Sequence, residues 1–269
     1  MHVAVSPRQN QLLAALPASV LERLFADLEL IWIPRGEVLH EPGAPLHYVY
    51  FPTSAIVSRL YLMEDGGSSD GAMTGNEGMI GIALFMGGET SPHRAVVLSS
   101  GYAYRLPSLV LKREFNRFGG RRNGAFSRLL LRYAQALFTQ MAQTSICNLH
   151  HSLAQRLCCL LLMSVDRSPS NELTMTQDLI ANLLGVRREG VTEVAGKLQA
   201  AGLIQYHRGH IAVLDRAGLE ARACECYGLI KRETERLLPR SLFWIHSEAE
   251  VRAPVIGAPH LSVIGDEHP

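Results

Sequence analysis

The residues best placed to do chemistry lie in one short run, TQDLIANLLGVRREGVTEVAGKLQAAGL, at positions 176–203. Val186, Val191, Val194 and Leu198 form an apolar helical face there, which turns Arg187, Arg188, Glu189, Thr192, Glu193 and Lys197 outward. A guanidinium presents a rigid fork of donors that suits a guanine edge or a phosphate, and a carboxylate accepts from the amino group of cytosine. The helix before this one begins at Thr176, a capping residue, with Asp178 in its first turn and Leu179, Leu183 and Leu184 facing a core. Ala181, then Gly185 four residues on and Val191 six further, has the spacing of two helices crossing through a left-handed glycine turn.

An αα-hairpin would share that local pattern, so the next residues decide. Gly202 to Tyr206 and Ile211 to Leu214 read as two strands around the basic turn His207-Arg208-Gly209-His210. Helices followed by a basic β-ribbon predict a winged helix-turn-helix that binds double-stranded DNA. The expected contacts are Arg187, Arg188, Glu189, Thr192, Glu193, Lys197, the wing residue Arg208 and the cap Thr176.

The cysteines are the other reactive set. Cys147, Cys158, Cys159, Cys224 and Cys226 make an odd count that fits reduced thiols better than a disulfide framework. Cys158-Cys159 with Cys224-Glu225-Cys226 would supply four soft thiolates for zinc or an iron–sulfur cluster, with His207 or His210 close in sequence. The Cys-x-Cys spacing departs from the usual Cys-x-x-Cys, and Cys158 and Cys159 sit in an apolar run where free cysteine acts as a small hydrophobe. Packing is therefore the assigned role, with no metal and no cofactor; a redox- or metal-responsive use of Cys158, Cys159, Cys224 and Cys226 is the alternative. No Gly-rich phosphate loop, paired metal motif or Gly-x-Ser-x-Gly elbow occurs, and His40, His47, His150 and His151 are scattered, so no enzyme is expected.

The chain that positions these groups has 269 residues, enough for two domains. Its net charge of +1 excludes a generally basic nucleic-acid coat and confines any DNA contact to a local patch. Met1 to Gln11 lacks the apolar core of a secretory leader, and the longest apolar run, Leu157 to Met163, is far shorter than the ~20 residues of a membrane span. A cytoplasmic protein with no membrane contact is expected.

Asn10 to Leu28 reads as two short amphipathic helices, with Leu12, Leu13, Leu16, Leu21, Leu24, Phe25 and Leu28 as their apolar positions. Short β-rich runs follow at Leu30 to Ile33, Tyr48 to Phe51, Ile56 to Leu62, Val96 to Leu98 and Tyr102 to Leu106, the spacing of a jelly roll or barrel. From Asn123 to His151 a long helix carries Leu130, Ala134, Leu137, Met141, Thr144 and Asn148 at alternating steps of four and three, a coiled-coil seam read as a dimer interface. The same stripe would also serve to pack the helix on its own β domain. Leu153 to Val165 forms a further apolar helix. Beyond Leu238, Pro239, Pro254 and Pro259 interrupt a segment expected to lie outside the folded core, so that its removal leaves folding intact.

With these residues in place, the chain resembles the Crp/Fnr superfamily of bacterial regulators over roughly Leu12 to Leu238, most strongly from Gln155 to Val213. The resemblance implies an α+β protein: a sensor domain at 1–122 with a cyclic-nucleotide-binding-like jelly roll, a dimerisation helix at 123–151, a winged helix-turn-helix at 152–238 and a tail at 239–269. It further implies a homodimer on an inverted repeat and RNA polymerase as a partner. In cyclic-AMP receptor protein an Arg-Glu pair reads bases, and Arg188-Glu189 occupy those positions; Glu193 stands where a further Arg is usual, so operator preference does not carry over.

The family's ligand cassette has a Gly-Glu and, about ten residues on, an Arg. In the corresponding segment GNEGMIGIALFMGGETSPHRAV, alignment puts Ile82 beside Gly81 in place of the Glu, and His93 at the Arg position with Arg94 one step later. A one-residue shift on a strand turns a side chain to the other face. Glu77 with Arg94 could instead form another anion site, but a surface ion pair or two solvated side chains is preferred. The candidate pocket set is Glu77, Gly81, Ile82, His93 and Arg94, and cyclic AMP is not the expected effector; another small ligand, or no ligand at all, remains open.

Overall fold

The computed structural model describes residues 5–64, 67–116, 124–168 and 170–238. Helix α1 (Gln11–Ala14) starts at Asn10, whose Oδ1 accepts from the amides of Leu12 and Leu13 while its Nδ2 donates to the carbonyls of Pro52 and Gly78. One buried amide thereby caps a helix and ties it to the β domain. Helix α2 (Ala18–Phe25) buries Val20, Leu21 and Leu24. Phe25 departs from the expected face: it lies in the last turn and is exposed.

Seven strands follow: β1 (Glu29–Ile33), β2 (Val38–His40), β3 (Tyr48–Pro52), β4 (Ile56–Leu62), β5 (Ser68–Thr74), β6 (Arg94–Ser99) and β7 (Gly101–Pro107). They form two antiparallel sheets, ordered β1-β7-β3 and β2-β6-β4-β5. Ile33, Ala55, Val57, Ile80, Ala95, Val97 and Ala103 form one buried cluster drawn from both sheets, which is what period-2 burial of strand residues produces. The expected strands are all present. β2 and β5 are additional, and β5 reads SSDGAMT, too polar in its first half to show as a strand on its own.

Helix α3 (Ser108–Asn116) leads towards residues 117–123, outside the described residues, where the expected boundary at 122 falls. Helix α4 (Ala125–His150) then runs for 26 residues. Of its expected seam, Leu130 and Leu137 are buried in the same cluster as Leu12, Phe51 and Met79, so they pack on the chain's own β domain, and Met141 packs against that cluster. The alternative given for that stripe is the one observed for these three residues. A different row, Leu131, Gln135, Phe138, Ala142, Ser145 and Leu149, faces outward, displaced by one position from the expected one.

The remaining elements are α5 (Leu153–Val165), β8 (Glu172–Thr174), α6 (Gln177–Leu184), α7 (Arg188–Ala200), β9 (Ile204–His207), β10 (His210–Val213), α8 (Arg216–Arg222) and α9 (Glu225–Leu237). Ser152 and Gln155 form a reciprocal capping box that starts α5 directly after α4 ends. The strands form a three-stranded sheet in the order β8-β10-β9, with β8 an extra strand beside the expected ribbon. Helix α9 packs along α4 and ends with Leu237 and Leu238 in the core of the β domain, so the two halves share apolar core at both ends of α9. The segment 239–269 lies outside the described residues.

Candidate nucleic-acid interface

Thr176 caps α6, its Oγ1 accepting from the amide of Leu179 at 3.2 Å, and Gly185 ends the helix at φ 62° and ψ 42°. That left-handed turn costs a glycine little and lets the chain enter α7 at once. Ile180, Ala181, Leu183 and Leu184 are buried against Val191, Ala195 and Leu198 of α7; Leu179, expected in the core, is only half-buried because Ile180 takes its place. The unoccupied face of α7 presents Arg187, Arg188, Glu189, Thr192, Glu193 and Lys197, all exposed.

Two residues not assigned a contact role from sequence hold this face. Asp178 Oδ1 lies 3.6 Å from Arg188 Nε, and Gln177 Oε1 accepts from Thr192 Oγ1 at 2.7 Å. Both come from the first turn of α6 and steer the start of α7; Asp178 was legible only as a helix-dipole residue. Further along, Lys197 Nζ lies 2.6 Å from Glu193, an exposed i,i+4 pair. Arg187 occupies the N-cap of α7 without a capping hydrogen bond, leaving amide donors at an exposed helix N-terminus, the setting that favours a phosphate.

The strands β9 and β10 pair antiparallel with His207 opposite His210, and the turn between them has Arg208 at φ 48° and Gly209 at φ 83°. Two successive positive φ values make the tight primed hairpin turn and throw the Arg208 side chain off the tip. A Cβ on Gly209 would lie 3.3 Å from Thr176 Cγ2, so the tip of the ribbon sits at the N-terminus of α6, beside the α7 face. The two α7 glycines differ in surroundings: a Cβ on Gly190 would meet Leu153 at 3.1 Å, which assigns it to packing on α5, whereas Gly196 faces open space.

The candidate ligand set divides. Gly81, Ile82 and His93 line a cavity of about 220 Å³ between the β domain and α4, together with His40, Arg59, Tyr61 and Phe138. Glu77 and Arg94 do not meet. Glu77 is buried against Arg167, at 2.7 Å, and Arg94 pairs at 2.8 Å with Glu41 on the surface. The preferred surface ion pair thus describes Arg94, with a different partner, while Glu77 is neither solvated nor at the surface. The cavity's cation is Arg59, fully buried, its guanidinium bonded to the Thr74 hydroxyl, the Met79 carbonyl at 2.9 Å and the Tyr133 hydroxyl at 3.2 Å. Burial, reinforced by the charge of Arg59, holds His40 down at about 4 and His93 at about 3, so both line the cavity as neutral rings near neutral pH.

Among the cysteines, the set expected as the alternative separates. Cys158 is fully buried in α5, where burial pushes its thiol up to about 11. Cys159, Cys224 and Cys226 come together, joined by Cys147; His207 and His210 lie on the wing strands, and the histidine beside these thiols is His151.

Comparison with known proteins completes the picture. Residues 155–222 match the family model of the Crp-like helix-turn-helix domain. The fold is similar to that of a crp/fnr-family regulator from Eubacterium rectale (19% identity, TM-score 0.60, covering 78% of this chain and 96% of that one). It is similar also to FixK2 from Bradyrhizobium japonicum (17%, 0.59, 73% and 98%) and to the c-di-GMP-responsive regulator CLP of Xanthomonas campestris (17%, 0.58, 73% and 99%). No curated protein matches the chain significantly. Domain and fold together define a DNA-binding transcription regulator built on a β domain, a long helix and a winged helix-turn-helix. Residues 155–222 thus carry a Crp-like helix-turn-helix domain, in a chain whose fold is similar to that of Crp/Fnr regulators. Among the described residues no helix is long and apolar enough to cross a membrane.

Proposed function

We propose that this regulator binds an inverted-repeat operator as a homodimer, with α7 of each copy in successive major grooves. In this reading 1–122 is the sensor domain, 123–151 the dimerisation helix and 152–238 the DNA-binding domain; RNA polymerase is the further partner implied by the resemblance. The observation that carries it is the exposed face of α7, beginning at an uncapped N-terminus and flanked by the Arg208 tip. Arg188 and Glu189 read base edges, while Arg187, Lys197, Thr176 and Arg208 serve phosphates.

Dimerisation is supported by the outward row of α4. Leu131, Phe138 and Leu149 are 56%, 55% and 77% exposed, and the row alternates in steps of four and three. Apolar side chains at such spacing on a solvent face are the seam of a coiled coil. Phe138 also lines the sensor cavity, so a second copy seated on this row would close that cavity.

Cyclic AMP is excluded as effector in this reading, because the cavity lining contains no carboxylate to accept ribose hydroxyls and its buried Arg59 already gives three hydrogen bonds to protein oxygens. An enclosed phosphate without a free cationic partner costs more than shape returns. Footprinting on a bound operator tests the whole: protection of two half-sites on one face of the duplex is expected, and a single half-site protected by a monomer overturns it.

A further inference from the structure

We propose that Cys147, His151, Cys224 and Cys226 form a closed, four-ligand site for a thiophilic divalent metal, zinc in chemical class, that clamps the end of α4 to the start of α9. Cys147 and His151 stand one helical turn apart at the C-terminal end of α4, and Cys224 and Cys226 stand at the N-cap and first turn of α9. Their three sulfurs and one ring nitrogen all lie within 4.8 Å of one another. Cys147 Sγ is 3.5 Å from Cys224 Sγ, and Cys226 Sγ is 3.4 Å from His151 Nδ1. A tetrahedral zinc with Zn–S of about 2.3 Å and Zn–N of about 2.0 Å places its donor atoms roughly 3.5–3.8 Å apart, so little movement is needed to close the shell.

The surroundings are those of a metal site. His151 Nε2 lies 3.3 Å from Glu225 Oε1, an arrangement that leaves Nδ1 as the lone-pair nitrogen facing the sulfurs. A carboxylate behind a histidine is the usual outer partner of a metal-bound imidazole. Binding would displace one proton from each of the three thiols and change no oxidation state. The resulting unit carries one net negative charge. Arg156, whose buried Nε has no hydrogen-bond partner, lines a small cavity together with Cys147 and Cys226 and supplies a compensating cation and a route of entry. Cys159 Sγ, 3.4 Å from Cys224 Sγ, borders the same cavity as a neighbouring thiol outside the four-ligand set.

None of the four ligands lies within residues 155–222, the matched helix-turn-helix domain. The site instead joins the long helix to the element that follows that domain, so metal occupancy would fix how α5 to α8 are held against α4.

Cobalt titration of the reduced, full-length protein tests this independently of DNA. One Co²⁺ per chain is expected, with the ligand-field bands of a tetrahedral site and thiolate-to-metal charge transfer, displaced by zinc. Cys226→Ser should abolish stoichiometric binding, Glu225→Gln should weaken it about 10–100-fold, and Cys158→Ser should leave it unchanged. Absence of thiolate–cobalt bands in the folded wild-type protein overturns the proposal, as does a Cys147–Cys224 disulfide found in their place. Retention of the bands in folded Cys226→Ser overturns it too; should that variant not fold, the wild-type titration decides. Failure of operator binding would count against the regulator reading and leave this result untouched.

Discussion

Arg167 Nε lies 2.7 Å from Glu77 Oε1, and both side chains are nearly withdrawn from solvent. Arg167 follows α5, and Glu77 sits in the loop after β5, so this pair fastens the end of α5 to the β domain. Glu77 Oε2 also accepts from the Gly75 amide at 3.0 Å, and Arg167 donates to the Met163 carbonyl at 2.8 Å. Removing one partner of such a pair leaves a buried charge uncompensated, at a cost of about 3–5 kcal/mol, whereas replacing both with apolar residues can be neutral. Urea unfolding should show that loss for Glu77→Ala and substantial recovery in Glu77→Leu combined with Arg167→Met. Equal losses in the single and double variants would show that the pair does not bind the halves together.

The two rows of α4 should respond differently. Leu130 is fully buried in the chain's own core, so Leu130→Ala should cost about 2–5 kcal/mol of stability. Leu131→Asp and Phe138→Asp place charge on the outward row and should convert the proposed dimer to monomer in sedimentation, with little change in the monomer's own fold. Dimers that survive both aspartates would move the interface elsewhere.

On DNA, Arg188→Ala should lose roughly 1–3 kcal/mol on the preferred sequence and relax choice at one base pair of each half-site. Arg208→Ala should weaken all sequences alike and reduce the salt slope by about 1 per wing. Competition assays across salt concentrations separate the two. Identical behaviour would remove the distinction between base reading by α7 and phosphate contact by the wing.

Acid sensitivity should come from the cavity between the β domain and α4. His93 and His40 are held at about 3 and about 4, far below the 6.5 at which they take up protons once exposed. Between those limits the unfolded chain binds more protons than the folded one, so stability falls as pH drops below 6.5. Asp70, pushed up to about 6 by burial, works the other way, since it protonates earlier in the folded state and gains stability as pH falls. Two histidines outweigh one aspartate. The melting temperature should therefore fall between about pH 7 and pH 5, and His93→Gln should flatten the slope; an unchanged slope would place the acid sensitivity outside the cavity.

The sequence made legible whatever rests on short-range pattern. The turn at Gly185, the cap at Thr176 and the outward row of α7 follow from helical spacing and one left-handed position, and all appear as expected. Leu130, Leu137 and Met141, expected in a dimer seam, pack on the chain's own β domain because a long helix packed on one side and exposed on another carries two apolar rows one residue apart, and spacing alone does not say which faces the core. Strand β5 was missed because SSDGAMT draws its burial from α4 and α6 rather than from its own alternation. Cys147 was left out of the expected thiol set for a different reason. Cys147 and Cys224 are 77 residues apart, and only the return of α9 along α4 brings them together.

Selection of bound duplexes from a random pool by the purified protein, with and without cyclic AMP, tests the central claim most directly. The account predicts an enriched inverted repeat with half-site centres one helical turn apart, about 34–36 Å, and no enhancement by micromolar cyclic AMP. Enrichment of a lone asymmetric site, or a repeat bound only when cyclic AMP is present, would contradict it.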